Sequence, residues 1–195
     1  MTPVSVRLQT LTCHRRVTSW RRTEPYLWVV TFRIDGGCVK LNAEFQLDGD
    51  AILHFSQGSQ GNLGGQQMEA GETVPIPPEV GIWDTELSPI EVPFFNYEIP
   101  GMIGVIAVLM EQKNVSAAGA EAGHKALNER VQHAVNEALS SFDVKKIDVE
   151  NIQDSIKAYF NDQVNGFVHE IETAVTQAVM QSQNEFIERN GDLQK

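Results

Sequence analysis

Two hydrophobic rhythms divide the chain. Up to about residue 112 apolar positions alternate with polar ones or gather in short runs bounded by Gly, Pro, Asn and Asp; beyond Asn114 they recur every three or four residues. Val4–Thr12 sets Val4, Val6 and Leu8 against Ser5, Arg7 and Gln9, and Tyr26–Ile34 is rich in aromatic and β-branched residues, so both read as strands. Asp35-Gly36-Gly37 marks a tight turn. A third strand is expected over Cys38–Leu47, with Asp48-Gly49-Asp50 as a hairpin turn into a fourth, Ala51–Ser56. Residues 57–72 hold five glycines and almost no large apolar side chain, which is a loop. Pro75, Pro77, Pro78, Pro89 and Pro93 restrict the next stretch to short edge strands near Thr73–Ile76 and Ile90–Asn96, because proline cannot donate to a ladder. Trp83 and Phe94 are expected to turn into the core. The most apolar run, Ile99–Met110, contains a strand, Met102–Met110, expected to be fully buried in the middle of the β-structure.

In the second part, Ala117–Phe142 places Leu127, Val131, Ala134 or Val135, Ala138 and Phe142 on one helical face. From Val149 to about Glu188 the apolar positions Ile152, Ile156, Phe160, Val164, Phe167, Ile171, Val175, Val179 and Phe186 describe one long helix or two collinear ones, with Gly166 as the expected break. Unbroken, about forty residues extend roughly 60 Å. The apolar stripe has to be buried, either within the chain as a helical hairpin against the sheet or, as the competing expectation, against another copy or a partner protein.

Composition changes this picture in one respect. The net charge is −11, which argues against general nucleic-acid binding, but the charge is uneven. Residues 1–33 carry six arginines against Glu24, about +5, leaving nine basic and 25 acidic residues elsewhere, about −16. Four of those arginines, Arg15, Arg16, Arg21 and Arg22, bracket Trp20 in the loop between the first two strands. Arginine binds phosphate through a planar fork and tryptophan favours the membrane–water interface. The plainer explanation is charge complementarity with the chain's own acids. Cys13 and Cys38 match neither a disulfide framework nor a CxxC site and are expected as free thiols of a reducing compartment. No apolar h-region opens the sequence, so no signal peptide is expected, and twelve apolar residues are too few to span a bilayer. The expected location is cytoplasmic or peripheral to a membrane.

No catalytic constellation stands out. His14, His54, His124, His133 and His169 share no local spacing, GxSxG and HExxH are absent, and the Gly-rich loop is followed by neither the lysine nor the helix of a phosphate-binding loop. An enzyme is the third-ranked class.

The run Thr23-Glu24-Pro25-Tyr26-Leu27-Trp28-Val29 resembles the Ser-Asp-Pro-Tyr motif that leads into the second strand of C2 domains, β-sandwich modules that dock on phospholipid membranes. The apolar strand Met102–Met110 running into Glu111 is similar to the C2 strand that enters the third ion-binding loop. The resemblance covers about residues 4–116. It implies calcium ligands, for which a hard cation needs six to eight oxygens, yet the first loop offers arginines and Gln112, Lys113 and Asn114 follow Glu111. Glu24 and Glu111 alone remain as metal-ligand candidates, a degenerate calcium site, and no cofactor is expected. The helices depart from the C2 pattern.

The sequence therefore predicts an α+β chain, with a C2-like antiparallel β-sandwich over 1–116 and a long-helix hairpin over 117–195. It predicts a non-enzymatic module that docks on anionic phospholipid, or on another acidic or phosphate-bearing surface or protein, through Arg15, Arg16, Trp20, Arg21 and Arg22 without calcium. The alternative is protein interaction or homo-oligomeric assembly through the C-terminal amphipathic helices.

Overall fold

The computed structural model describes residues 1–15, 24–44, 46–92, 98–112, 115–143 and 151–192. The chain is α+β. Its central element is β3 (Pro25–Ile34), which pairs antiparallel with β11 (Met102–Glu111) along its whole length and with β6 (Ile52–Phe55) on its other side. Alternation along β3 decides what lies on each face. Tyr26, Trp28, Val30, Phe32 and Ile34 point into a core shared with the helices α2 (Ala117–Ser140) and α3 (Ile152–Asp192). Leu27 and Val29 point the other way, into a smaller cluster with Leu63, Val80, Leu8, Leu11 and Ile76. Nine of the ten β3 residues are buried because both faces are covered.

The second face is covered by a β layer made from the two ends of the first part of the chain. β1 (Thr2–Arg7) pairs with β8 (Ile82–Leu87), and β2 (Thr10–Thr12) pairs with β7 (Thr73–Pro75). The expected single strand over Val4–Thr12 is interrupted at Leu8 and Gln9. There the short helix α1 (Pro78–Gly81) intrudes opposite, with Leu8 N–H donating to Gly81 O at 2.8 Å and Ile76 N–H to Gln9 O at 2.8 Å. β8 goes beyond the strands the sequence predicts, since its exposed positions carry Asp84 and Glu86. Where an edge strand is expected near Ile90–Asn96, β9 (Ile90–Glu91) pairs with β10 (Glu98–Ile99), residues 93–97 lying outside the described ones.

Three other expectations are corrected. The strand expected over Cys38–Leu47 is itself a hairpin, β4 (Val39–Leu41) against β5 (Leu47–Gly49). Its turn is made by Asn42, whose Oδ1 accepts from Glu44 N–H and Gln46 N–H, so the side chain stands in for a backbone turn. Met102–Met110 is not a central buried strand: β11 is the outer strand of its sheet among the described residues, with Val105 42% and Leu109 56% exposed. Trp83 is half-buried and stacks on His54 at 5.8 Å rather than filling the core, and Phe94 lies outside the described residues.

The helical pattern holds closely. Leu127, Val131, Ala134, Val135, Ala138 and Phe142 are all buried, and Ser116 caps α2 by accepting from Gly119 N–H at 3.0 Å. α3 runs unbroken through Gly166, which sits on the exposed side with nothing near its missing Cβ and so costs the helix only intrinsic propensity. Its stripe of Ile156, Phe160, Ile171 and Val175 is buried against α2 and the sheet, while Arg130 of α2 and Glu170 of α3 are ion-paired. The two helices and β3 enclose one core, so the helical part is integral to the fold. Gly123 permits a close approach of both: a Cβ there would meet Val179 of α3 at 2.7 Å and the Trp28 ring at 3.0 Å. No helix is long and apolar enough to cross a membrane among the described residues.

Candidate functional site

Three loops meet at the end of the sheet where β3 begins and β11 finishes. The first joins β2 to β3 and holds the arginines, the second is the Gly-rich loop between β6 and β7, and the third joins β11 to α2. Hydrogen bonds tie them together. Cys13 N–H donates to Glu72 O at 2.9 Å and Gly71 N–H to Cys13 O at 2.7 Å, which fixes the start of the first loop on the second. Glu24 fixes its end: the Glu24 carboxylate accepts from Gln67 Nε2 at 2.7 Å, and its carbonyl accepts from Gln112 N–H at 3.0 Å. Gln60 Nε2 donates to Val115 O at 2.9 Å, joining the second and third loops.

The Gly-rich loop, for which composition suggested no role, is thus the frame of this end. Asn62 shows how. Its side chain accepts from Leu27 N–H at 2.9 Å and donates to Leu27 O at 2.7 Å, continuing the β3 ladder where β6 has stopped. Trp28 adds a second tether, its indole N–H donating to Ser59 O at 2.7 Å. These contacts depend on single side chains inside a polar loop, so no periodicity announces them.

Of the residues expected at the site, Arg15 is exposed at the loop's departure and makes no ion pair with a described residue. Arg16, Trp20, Arg21 and Arg22 lie outside the described residues, between the two fixed points Cys13 and Glu24. The other arginines of the basic segment are neutralised: Arg7 pairs with Asp84 at 3.4 Å and Arg33 with Asp35 at 2.9 Å. Charge complementarity within the chain therefore accounts for those two. Glu24 and Glu111 come to the same end, since Glu111 pairs with Pro25 across the ladder, but Glu24 is engaged by Gln67. Among the described residues no group of three His, Cys, Asp or Glu side chains gathers that could hold a metal ion. Glu24 and Glu111 alone fall short of a calcium cage.

No protein-family model, curated protein or solved structure matches this chain.

An open cleft of about 270 Å³ is walled by Phe55, Ser59, Glu121, His124 and Asn128. His124 is 6% exposed, lies parallel on Trp28 at 5.2 Å, and has Nδ1 3.3 Å from Ser59 Oγ. A serine–imidazole contact is half of an activated nucleophile; the other half is an acceptor that orients the far nitrogen. Among the described residues Nε2 is buried with no partner, as is Asn128 Oδ1, so no orienting group stands behind the imidazole there. Burial pushes the His124 pKa below its ordinary value of about 6.5.

A titration effect follows. Between 6.5 and the lower native value, the unfolded chain binds a proton at His124 that the native chain does not. The stabilising effect of neutral His124 is therefore complete above pH 6.5 and erodes as the pH falls below it. Urea midpoints measured from pH 7.5 to 5 should decline more steeply for the wild type than for His124→Phe, which retains a ring on Trp28 and cannot titrate. Equal slopes would show that the imidazole does not titrate differently on folding.

The thiols are free. Cys38 Sγ is half-buried beside the Asp35 carbonyl at 3.4 Å, and burial raises its pKa, which keeps it protonated and unreactive.

Proposed function

We propose that the chain is a non-enzymatic docking module whose β-rich part is a C2-like sandwich and whose three-loop end meets an anionic phospholipid surface. The observation that carries this reading is the way the arginine loop is mounted. Both of its ends are fixed on a hydrogen-bonded frame at one extremity of the sheet, and its first arginine, Arg15, is exposed and unpaired among the described residues. Arginines on such a mount act together. Each cation near an anionic leaflet contributes about 1 kcal/mol, within reach of a Debye length, and a tryptophan among them adds interfacial affinity. The acidic body, about −16 beyond residue 33, faces repulsion from the same surface and so selects orientation: the loop end is the one approach that is not repelled. Calcium has no part in this, because the contact is made by cations of the protein itself.

Co-sedimentation with vesicles tests it. The full chain is expected to bind vesicles containing phosphatidylserine and not neutral phosphatidylcholine vesicles, to bind equally with calcium and with chelator, and to weaken as salt is raised. Arg21→Glu/Arg22→Glu exchanges two attractive charges for two repulsive ones and should weaken binding by at least about 30-fold, the equivalent of some 2 kcal/mol. Binding that is indifferent to lipid charge, or absent altogether, would overturn the reading. Binding to an acidic polypeptide in the absence of vesicle binding would transfer the same loop to a protein partner.

A further inference from the structure

The strand expected to be most deeply buried is the one left at the margin. β11 runs for ten residues, and among the described residues nothing pairs with its far side. Long bare edges are hazardous, and proteins blunt them with lysine, proline, bulges or shortness. The remaining strands follow that rule. β6, at the opposite margin of the sheet, is four residues long, while β8 carries Asp84 and Glu86. β11 has none of these devices: from Met102 to Met110 there is no charge and no proline.

The ladder fixes which of its backbone groups are unsatisfied. Gln112 N–H bonds to Glu24 O, and hydrogen-bonded pairs alternate along an antiparallel ladder. The even residues of β11 therefore bond to β3, and the N–H and C=O groups of Ile103, Val105, Ala107, Leu109 and Glu111 point to the open side. The same odd residues turn their side chains toward the face shared with Leu27 and Val29, where Val105, Ala107 and Leu109 are exposed.

We infer that β11 is a homodimer interface, pairing antiparallel with β11 of a second copy about a two-fold axis at Ala107. Self-complementarity selects this occupant. A two-fold at Ala107 places Val105 opposite Leu109 of the partner subunit and Ala107 opposite its own counterpart. The open backbone groups then meet as hydrogen-bonded pairs, and the exposed apolar row is doubled into one patch. Ile103 falls opposite Glu111 of the partner subunit, so no like charges are juxtaposed. Charge matching points the same way. In a molecule of net charge −11, an uncharged strip of this length fits another uncharged strip, whereas a basic partner would be drawn to the acidic body. Pairing would join two three-stranded sheets into one of six strands, with both long bare edges removed. This inference is independent of the docking loop, whose described ends, Cys13–Arg15 and Glu24, lie at the end of the sheet rather than along its side.

Sedimentation equilibrium or light scattering on the full chain at tens of micromolar should give twice the 21.7 kDa chain mass. Association should strengthen with salt, because two acidic bodies are brought together; vesicle docking weakens with salt, which separates the two readings. The deciding variants are Ala107→Lys and Ala107→Glu. Ala107 is exposed, so either substitution leaves the monomer fold intact, as circular dichroism would verify, but it sets like charges directly opposite at the two-fold. Each alone should associate at least about tenfold more weakly than wild type, and an equimolar mixture should recover a dimer containing one of each. Val168→Lys/Met180→Lys, on the exposed side of α3, should leave the dimer unchanged. A monomeric wild type, or a dimer that persists in both single variants, would overturn the inference.

Discussion

Trp28→Ala should destabilise the chain by about 3–5 kcal/mol, a large share of the 5–15 kcal/mol typical of a folded domain. The indole is fully buried and is the largest such side chain in the core. It lies against Tyr26 at 5.5 Å and parallel to His124 at 5.2 Å, and its edge passes close to Gly123, where α2 and α3 come together. Truncation opens a cavity at the meeting point of sheet and helices, and it leaves the Ser59 carbonyl without its donor. The loss should appear as a lower urea midpoint in circular dichroism. Because Ser59 belongs to the frame of the three-loop end, vesicle binding should weaken as well. Trp83→Ala, at a half-buried ring stacked on His54, provides the comparison and should cost no more than ~2 kcal/mol. Similar losses for the two variants would mean that Trp28 is not the keystone of the core.

Removing Asp35 should be nearly as damaging. Its carboxylate has no exposure to solvent and accepts three hydrogen bonds, from Arg33 Nη1 at 2.9 Å, Ser88 N–H at 2.8 Å and Gly37 N–H at 3.2 Å. Its carbonyl accepts from Cys38 and Val39, and its Cβ lies under Gly101 at the start of β11. One residue therefore fastens the end of β3 to the turn after β8 and to the entry of β11. Breaking a buried ion pair by deleting one member costs about 3–5 kcal/mol, mainly because the other member is left without its counterion. Asp35→Ala should reach that range, and Asp35→Asn, which retains one acceptor, should fall between it and wild type. Arg33→Met should also be costly, while the double variant Arg33→Met/Asp35→Ala should lose clearly less than the sum of the single losses. Strict additivity in denaturant titrations would show that the pair is not coupled.

The sequence was most legible where a period persists over many residues. The buried face of α2 was read position by position, and β3 was bounded to within a residue, because its burial on both faces requires an unbroken apolar and aromatic run. β11 shows the limit of the same signal: composition says that a strand is apolar, but not whether apolar neighbours or solvent lie beside it. Val105 and Leu109 read as core and are exposed. Asn42 reversed the chain inside what looked like one strand, since a single side-chain acceptor can replace a turn signal without changing the hydrophobic pattern. Asp35 opens a tight turn, as Asp-Gly-Gly predicts, but nothing local to that motif reveals that Ser88, fifty-three residues later, will close over it. At the candidate site the arginine loop is visible from its charge. Arg15 is exposed at the loop's departure, Arg16, Trp20, Arg21 and Arg22 fall outside the described residues, and the frame built by Glu24, Gln67, Gln60 and Asn62 could not be read because each of its contacts joins residues distant in sequence.

The register of β3 with β11 also has a consequence for how the chain is made. Met102 pairs with Ile34 and Glu111 with Pro25, so the partners lie 68 to 86 residues apart. At 5–20 residues per second, a ribosome needs on the order of 3–17 s to deliver β11 after β3 has been synthesised, and longer to deliver the helices that cover Trp28 and Phe32. During that interval the most completely buried of the described strands has neither its main neighbour nor its helical cover. The nascent chain is thus a natural client for holding chaperones, and its yield in a cell should depend on how quickly residues 102–140 follow.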